Sequence, residues 1–362
     1  MLGSHLLAPV RRLPVGVWCL LLAVLLLFSI TTAITWGSVT IAPSTVWRIA
    51  GAQVMHLLGS DLATTPAWSV QQFQIVWMIR MPRVLLAALV GAGLAVVGVV
   101  MQAMVRNPLA DPYLLGVSSG ASVGAVSVLA YGALAGAAGT YALTAGAFAG
   151  ALVATLVVYA LAHVQGHIHS TRLILSGVAV GYMLVGTTSL ITLTSGQREL
   201  AAALMTWTLG TLAGTEWREL GLPSVVLVAT LAWLLLQARA LNVLGGGEET
   251  AVTLGVNTHG LRRRLFVVVS LVTGTMVSVS GAIGFIGLVI PHITRMLVGT
   301  NHRRVLPVAA LSGAVYLVLV DLLARTSLAP TEIPAGVVTS LIGGPFFLWM
   351  LARHAGFGGR SA

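Results

Sequence analysis

The stretch "IRMPRVLLAALVGAGLAVVGVV" (residues 79–100) places two arginines, Arg80 and Arg83, around Pro82 and directly before a long apolar run. An apolar run of this length is sufficient to cross a bilayer as a helix. Arginines beside a spanning helix normally mark its cytoplasmic end. The side of the membrane on which Arg80 and Arg83 lie therefore decides the predicted topology of the whole chain.

The composition is that of a membrane protein. Of the 362 residues, 57% are hydrophobic and 8% are charged, and the mean hydropathy is +0.97. Repeated apolar runs at this level predict an all-α polytopic membrane protein with about ten transmembrane helices. The net charge of +10 comes from arginines spread along segment ends. We interpret them as topology signals and expect no nucleic-acid partner.

Ten apolar segments form one predicted domain, residues 1–362, with a first helix that is retained. Their approximate bounds are 14–35, 83–105, 113–134, 142–163, 172–194, 221–238, 265–281, 284–298, 305–323 and 335–352. If the N-terminus is cytoplasmic, most arginines fall in cytoplasmic connections and both termini are cytoplasmic. Arg80 and Arg83 then lie outside, against the rule, which favours a binding role for them. The alternative is that they anchor a helix at the headgroup level.

Glycines recur at helical spacing in two places. Gly116, Gly120 and Gly124 repeat every four residues, which predicts one face for close helix contact. Gly281, Gly284 and Gly287 repeat every three across a predicted helix break.

The longest internal connection, residues 239–264, contains a triple glycine followed by "EETAVTLGV". Glu248 and Glu249 suit the positive end of a short helix, and Gly255 and Asn257 can end it. We interpret this segment as a coupling element that docks into a cytoplasmic partner. A connecting helix on the bilayer surface is the alternative.

All 19 basic residues are arginines, so the chain lacks the lysine that a phosphate-binding P-loop requires. Any nucleotide-driven step must therefore belong to a separate chain. No arrangement of carboxylates and histidine predicts catalysis, and we expect no metal site and no bound cofactor.

Several long motifs carry a resemblance to a known family. They are "RMPRVLLAALVGAGLAVVGVVMQAMVRNPLADPYLLGVSSGASVG", "EETAVTLGVN", "GAIGFIGLVIPHITRMLVGTNHRRVLPVAALSGA" and "EIPAGVVTSLIGGPFFLWML". From about residue 75 to the C-terminus, the chain resembles the FecCD-type permeases of importers for iron–siderophore complexes, haem and vitamin B12. The resemblance implies a fold like that of the vitamin B12 importer permease, in the bacterial inner membrane.

The resemblance also implies three partners: a cytoplasmic ATPase dimer that holds ATP and Mg²⁺, a periplasmic or lipid-anchored binding protein, and a second permease, which we expect to be an identical chain. By resemblance, Arg80, Arg83 and Arg325 pair with glutamates of the binding protein. Arg325 follows Asp321 by four residues, so an intrahelical ion pair is its alternative. Glu248, Glu249, Leu254, Gly255 and Asn257 are the implied ATPase contacts.

The remaining implied sites concern the pathway between two permeases. Its cytoplasmic gate is assigned to Asn107 and Leu109 in "RNPLADP" and to Ser170 and Thr171 in "HSTR", although capping of the following helix would also explain the last two. Candidate pathway residues, each of which could instead serve helix packing, are Met183, Thr187, Thr192, Gln197, Met205 and Trp207.

The expected cargo is an iron chelate, either a ferric siderophore or haem. Vitamin B12 is the alternative cargo, and an ion-coupled secondary transporter is a more remote alternative. The single acid deep in a predicted segment, Asp321, gives little support to ion coupling.

Overall fold

The computed structural model describes residues 13–59, 68–132, 141–164, 167–168 and 170–358. The helices, numbered in chain order, are α1 Val15–Thr35, α2 Pro43–Leu57, α3 Val70–Phe73, α4 Met81–Val105, α5 Val117–Tyr131, α6 Ala142–Ala162, α7 Ser170–Thr194, α8 Arg198–Thr208, α9 Gly221–Leu236, α10 Ala238–Gly245, α11 Glu248–Thr253, α12 Thr258–Ser280, α13 Ile286–Val298, α14 His302–Thr326 and α15 Ala335–Gly358. A π-helix, Gln74–Arg80, joins α3 to α4, and 3₁₀ turns cover Pro112–Leu115 and Trp217–Glu219.

The predicted all-α membrane architecture is confirmed. Within the described ranges, 8 helices are long and apolar enough to cross a membrane, and Val117–Tyr131 and Ile286–Val298 are shorter apolar helices. Together they correspond to the ten predicted segments. The only pairing of extended backbone in the described part is the two-residue match of His163–Val164 with His167–Ile168.

Helix α4 forms the centre of the bundle. In its most apolar stretch 83% of the residues are buried, compared with 17% for α1 and for α7. Its neighbours include α12, α13, α14 and the end of α1. The glycines of "GAGLAVVG" permit this packing, since a Cβ on Gly91 would overlap the carbonyl of Gly313 in α14. One on Gly98 would overlap the backbone of Gly287 in α13.

The predicted glycine face is confirmed in part. Gly120 and Gly124 in α5 lie against Gly150 and Gly146 in α6, where added Cβ atoms would meet backbone oxygens. Gly116 is different, because it has a φ of +71° and ends the 3₁₀ turn before α5. Its role is to permit a left-handed turn, so its assignment to the helix-contact face is wrong.

The predicted helix break between α12 and α13 is also present. Gly281 ends α12 with a φ of +66°, and helical structure resumes at Ile286. Tyr113 stabilises the non-helical segment between α12 and α13. Its hydroxyl donates to the Ile283 carbonyl and accepts from the Ile283 amide, both at 3.0 Å. The turn after α4 is thereby tied to the interrupted segment.

Candidate functional site

Arg80 lies inside the bundle at the predicted external end. Only 5% of the residue is exposed. Its Nη1 donates to the carbonyl oxygens of Ile34 at 2.6 Å and Thr35 at 3.3 Å, and its Nη2 donates to that of Val39 at 2.7 Å. Carbonyls at a helix C-terminus have no partner within the helix. The guanidinium group of Arg80 therefore caps the end of α1.

Arg83 and Arg325 share a buried carboxylate on α14. Arg83 Nε lies 3.0 Å and 3.1 Å from the two oxygens of Asp321, and its Nη1 lies 2.8 Å from Glu332 Oε2. Arg325 Nε lies 3.5 Å from Asp321, and its Nη2 donates to the Ala33 carbonyl of α1. The three arginines and Asp321 are all buried, whereas the Glu332 side chain is 46% exposed.

Arg80, Arg83 and Arg325 are the residues that the resemblance assigns to pairing with glutamates of a binding protein. In the folded chain their side chains are buried and directed at partners within the chain. The intrahelical Asp321–Arg325 pair, left open as an alternative, is present. Docking of a binding protein at this end stays a prediction.

Other cations at the predicted external end are exposed. Arg48 lies on the outer face of α2, beside Trp47, which is 43% exposed. The Arg218 side chain is 42% exposed, lies 2.7 Å from Glu216 and stacks over the Tyr141 ring at 5.6 Å. Neither is among the docking residues that the sequence predicts, because the exposure of a side chain is a property of the folded chain.

The predicted coupling segment has the expected helix and an exposed apolar surface. Helix α11 begins after Gly247, which has a φ of +118°, and ends where Gly255 has a φ of +77°. Ala251 is buried against the bundle, while Val252 and Leu254 are 59% and 64% exposed. Glu249 is exposed as well, and the Glu248 side chain lies outside the described residues. Asn257, expected to help end α11, caps the next helix, with its side chain accepting from the Gly260 amide at 2.8 Å.

The predicted gate residues lie in the turn after α4 and at the start of α7. Asn107 Oδ1 accepts from the Leu109 amide at 2.9 Å, which fixes the turn. Ser170 begins α7, with its side chain outside the described residues, and Thr171 is exposed. A few residues beyond these two regions, α7 and the 3₁₀ turn at Pro112–Leu115 are in direct contact. Gly177 of α7 packs so closely onto the Leu114 carbonyl that a Cβ on Gly177 would overlap it. Gating itself stays a prediction.

Two of the predicted pathway residues, Thr192 and Met205, line a groove of about 680 Å³. Hydroxyl groups dominate its polar wall, from Ser118, Ser119, Ser122, Thr188, Ser189, Thr192 and Thr208. The serines of α5 were not predicted, although "SSGAS" is a visible hydroxyl cluster in the sequence. Most of the hydroxyls that have a hydrogen-bond partner donate to a backbone carbonyl of their own helix. The Ser122 hydroxyl, for example, donates to the Ser118 carbonyl at 3.0 Å.

The other predicted pathway residues lie elsewhere. Met183 borders a separate apolar groove between α5, α6 and α7. Thr187 is half-buried on α7, where its hydroxyl donates to the Met183 carbonyl at 3.0 Å. Gln197 donates to the Ala130 carbonyl at 3.3 Å, and Trp207 is half-buried. The structure therefore does not gather the six candidates into one surface.

Asp111 is a buried acid at the turn after α4. Its Oδ1 accepts from the Tyr113 amide at 2.8 Å, and burial raises its pKa to about 6. In the part of the chain that the structure describes, no three His, Cys, Asp or Glu side chains lie together as metal ligands would.

Comparison with known proteins gives consistent matches. The model of the FecCD transport family matches residues 24–353. The chain is 47% identical over 277 residues to the cobalamin import system permease BtuC of Halobacterium salinarum, covering 76% of this chain and 73% of the relative. It is 43% identical over 282 residues to the hemin transport permease HmuU of Yersinia pestis, covering 77% and 84%. A solved inward-facing ABC transporter of the metal-chelate type shares 30% identity with a TM-score of 0.78, over 92% of this chain and 98% of that one.

Proposed function

Since this chain belongs to the FecCD transport family and is the membrane permease of an ABC importer, we propose that it carries an iron chelate, a ferric siderophore or haem, into the cell. The proposal places it in the bacterial inner membrane with both termini in the cytoplasm. The observation that supports an iron chelate as cargo is the similarity to the hemin transport permease of Yersinia pestis and to the metal-chelate transporter. Dependence on a separate ATPase is supported by the exposed helix α11 on a chain without a P-loop lysine.

Helix α11 has the features of a docking element for a motor subunit. Val252 and Leu254 expose apolar surface to solvent at an end of the bundle, which is costly unless a partner covers them. The flanking glycines, Gly247 and Gly255, limit the helix to six residues and define its orientation. We assign the covering partner to an ATPase dimer that holds ATP and Mg²⁺, so that closure of the ATPase moves α11 and the bundle behind it.

The pathway is proposed to lie between two copies of this chain. On helix α7, Tyr182, Met183 and Leu193 are 77%, 61% and 82% exposed, and this apolar surface would face the second permease. The adjoining hydroxyl-lined groove offers polar groups without charge. Such a wall suits a bulky chelate that must pass without tight binding. The expected gate residues Asn107, Leu109, Ser170 and Thr171 would close this path at its cytoplasmic end.

The binding protein is proposed to dock on the opposite end, at the exposed cations Arg48 and Arg218. Arginine pairs well with carboxylates, and complementary charge accelerates docking. The buried arginines Arg80, Arg83 and Arg325 would contribute indirectly, by fixing the ends of α1, α4 and α14 that support this surface.

Cobalamin is the second candidate cargo, favoured by the similarity to the Halobacterium salinarum permease. The deciding experiment reconstitutes the chain with its ATPase and binding protein and adds ferric siderophore, haem or cobalamin in turn. We expect an iron chelate to stimulate ATP hydrolysis and uptake. Stimulation by cobalamin alone would select the second candidate. Uptake driven by an ion gradient without ATP would refute both and select a secondary transporter.

A control variant makes this experiment sharper. Leu254→Asp places a charge on the exposed face of α11 without disturbing its buried face. It should abolish both co-purification of the ATPase and cargo-stimulated hydrolysis. Leu328→Asp, a similarly exposed site just after the C-terminal end of α14, should leave co-purification of the ATPase unchanged.

A further inference from the structure

An apolar groove runs between α6 and α12 on the outside of the bundle. We call it the α6–α12 groove. Its volume is about 280 Å³, and its apolar walls come from Leu152, Leu156, Phe266, Val267 and Leu271. Leu156 and Val267 are 63% and 59% exposed, although both lie inside helices long enough to span a membrane. The groove therefore opens toward lipid. It shares no lining residue with the apolar groove between α5, α6 and α7.

A polar cavity of about 330 Å³ continues the α6–α12 groove at the end of the bundle that the sequence predicts to be cytoplasmic. Tyr159 and Arg263 line both cavities, so the two are continuous. The other side chains of the polar wall come from the end of α6 and the start of α12, and they are His163, Asn257, His259 and Arg262. The described lining residues of the two cavities include two arginines and no carboxylate.

Tyr159 marks the boundary between the apolar and the polar part. Its ring centroid lies 5.0 Å from that of Phe266 on the apolar side and 5.5 Å from that of His163 on the polar side. Tyrosine is typical of the level at which hydrocarbon meets the lipid headgroups, because its ring is apolar and its hydroxyl is polar. The α6–α12 groove thus changes character at one depth, as a phospholipid does.

The length of the groove corresponds to one leaflet of a bilayer. Arg263 and Leu271 are eight positions apart on α12, which is about 12 Å along a helix that rises 1.5 Å per residue. Half of a hydrocarbon core about 30 Å thick is about 15 Å. An acyl chain that starts at the level of Arg263 would therefore follow the groove through most of its leaflet.

From this arrangement, we propose that the α6–α12 groove binds an anionic phospholipid of the cytoplasmic leaflet. One acyl chain lies against Phe266 and Val267, and the headgroup phosphate lies at Arg263. Arg263 is exposed, so its guanidinium group reaches the headgroup level. Arginine binds phosphate oxygens through charge-assisted, often paired, hydrogen bonds. A zwitterionic headgroup suits the site less well, because it would bring its own cation close to Arg262 and Arg263.

The bound headgroup would lie against the turn that joins α11 to α12. Helix α11 ends at Thr253, and Asn257, which lines the polar cavity, caps α12 by accepting from the Gly260 amide at 2.8 Å. A phosphate held in this cavity would restrain that turn. Lipid binding itself requires neither a cargo nor a partner subunit.

The test uses the purified full chain in detergent micelles and follows its thermal unfolding as phosphatidylglycerol is added. Phosphatidylcholine with the same acyl chains is the reference. We expect a saturable rise in the unfolding temperature, with an apparent affinity at least about tenfold higher for phosphatidylglycerol. Arg263→Gln should lower that affinity about tenfold, because it removes a charged hydrogen-bond donor.

Arg264→Gln is the matched control for the headgroup. Arg264 is the next residue and is also exposed, but it lines neither cavity, and its Nε donates to the Gly260 carbonyl of its own helix at 3.2 Å. The control variant should change the apparent affinity for phosphatidylglycerol less than about twofold.

A second pair of variants tests the acyl-chain part and keeps the test valid if Arg263→Gln does not fold. Val267→Trp should fill the α6–α12 groove and weaken the binding of phosphatidylglycerol about tenfold. Val228→Trp, the same change on α9 at a position 66% exposed that lines neither cavity, should leave binding unchanged. Both valines are exposed, so the larger ring does not displace the core.

Glycerol 3-phosphate distinguishes a lipid from a soluble anion, since it has the phosphate oxygens without acyl chains. It should not stabilise the chain. The proposal is overturned if glycerol 3-phosphate reproduces the rise, if the two phospholipids stabilise the chain equally, or if either control variant weakens binding as much as its partner variant. Cargo, ATPase and binding protein are absent from the assay, so the outcome is independent of the proposed function.

Discussion

The buried carboxylate of Asp321 provides the sharpest test of how the external end is built. It receives Arg83 through contacts of 2.9–3.1 Å and Arg325 at 3.5 Å, with 1% of its surface exposed. Asp321→Asn keeps the shape and one acceptor oxygen but removes the charge. Two buried guanidinium groups would then share a single half-exposed carboxylate, Glu332. The variant should therefore be strongly destabilised.

The expected magnitude follows from the burial. Removing one partner of a buried ion pair costs about 3–5 kcal/mol, because the other charge stays uncompensated. An unfolding entropy of about 2.1 cal/mol/K per residue, summed over the chain, gives about 0.8 kcal/mol/K. The unfolding temperature should therefore fall by about 4–7 °C. Glu332→Gln removes a charge that water already screens, so it should cost less than about 1 kcal/mol.

Thermal unfolding of the purified variants in one detergent measures both values. The double variant Arg83→Gln with Asp321→Asn should recover part of the loss, since the uncompensated guanidinium is then absent. The interpretation is refuted if Asp321→Asn and Glu332→Gln shift the unfolding temperature equally, or if Asp321→Asn has no effect.

Four further predictions concern other parts of the chain. Leu254→Asp should reduce cargo-stimulated ATP hydrolysis by the reconstituted complex at least about tenfold. The unfolding temperature of the chain should be unchanged, because Leu254 is 64% exposed. Gly91→Leu should prevent accumulation of folded protein, because even a Cβ would overlap the Gly313 carbonyl; size-exclusion chromatography would show aggregate or no peak. Burial raises the pKa of Asp111 to about 6, so the folded chain binds the Asp111 proton more tightly than the unfolded chain does. The contribution of Asp111 to the free energy of unfolding therefore falls as pH rises between about 4 and 6. Asp111→Asn should remove that part of the pH dependence of thermal unfolding. Arg48→Glu should slow association of the binding protein at low salt and less so at high salt, measured by surface plasmon resonance.

The segments of the fold are recoverable from sequence because membrane insertion depends on local apolar length. The ten predicted segments and the break after Gly281 follow from hydropathy and glycine position alone. The coupling helix is equally local, since its first turn, its glycines and its apolar residues lie within ten positions. Gly116 was misassigned because glycine spacing does not reveal the sign of φ, which tertiary structure decides.

The candidate sites are less recoverable, because their residues meet across long stretches of chain. Arg83 contacts Asp321 and Glu332 across 238 and 249 positions, and no periodicity signals these pairs. The groove combines serines of α5 with threonines of α7 in a similar way. Charge counting treats each arginine as a marker of a membrane side. It predicts at which end of the bundle a residue lies and not whether its side chain points inward.

The buried arginines have a physical reason that differs from docking. Helix α1 ends inside the bundle, where Ala33, Ile34 and Thr35 are buried and their carbonyls lack helical partners. Water cannot reach these carbonyls, so donors must come from the chain itself. Arg80 and Arg325 supply them, and Asp321 then balances Arg325 and Arg83. Replacing Arg80 and Arg83 with glutamate would put carboxylates against carbonyl oxygens and against Asp321, so assembly should fail before docking could be measured. A charge reversal that tests docking must therefore be made at Arg48 or Arg218, where the side chain reaches solvent.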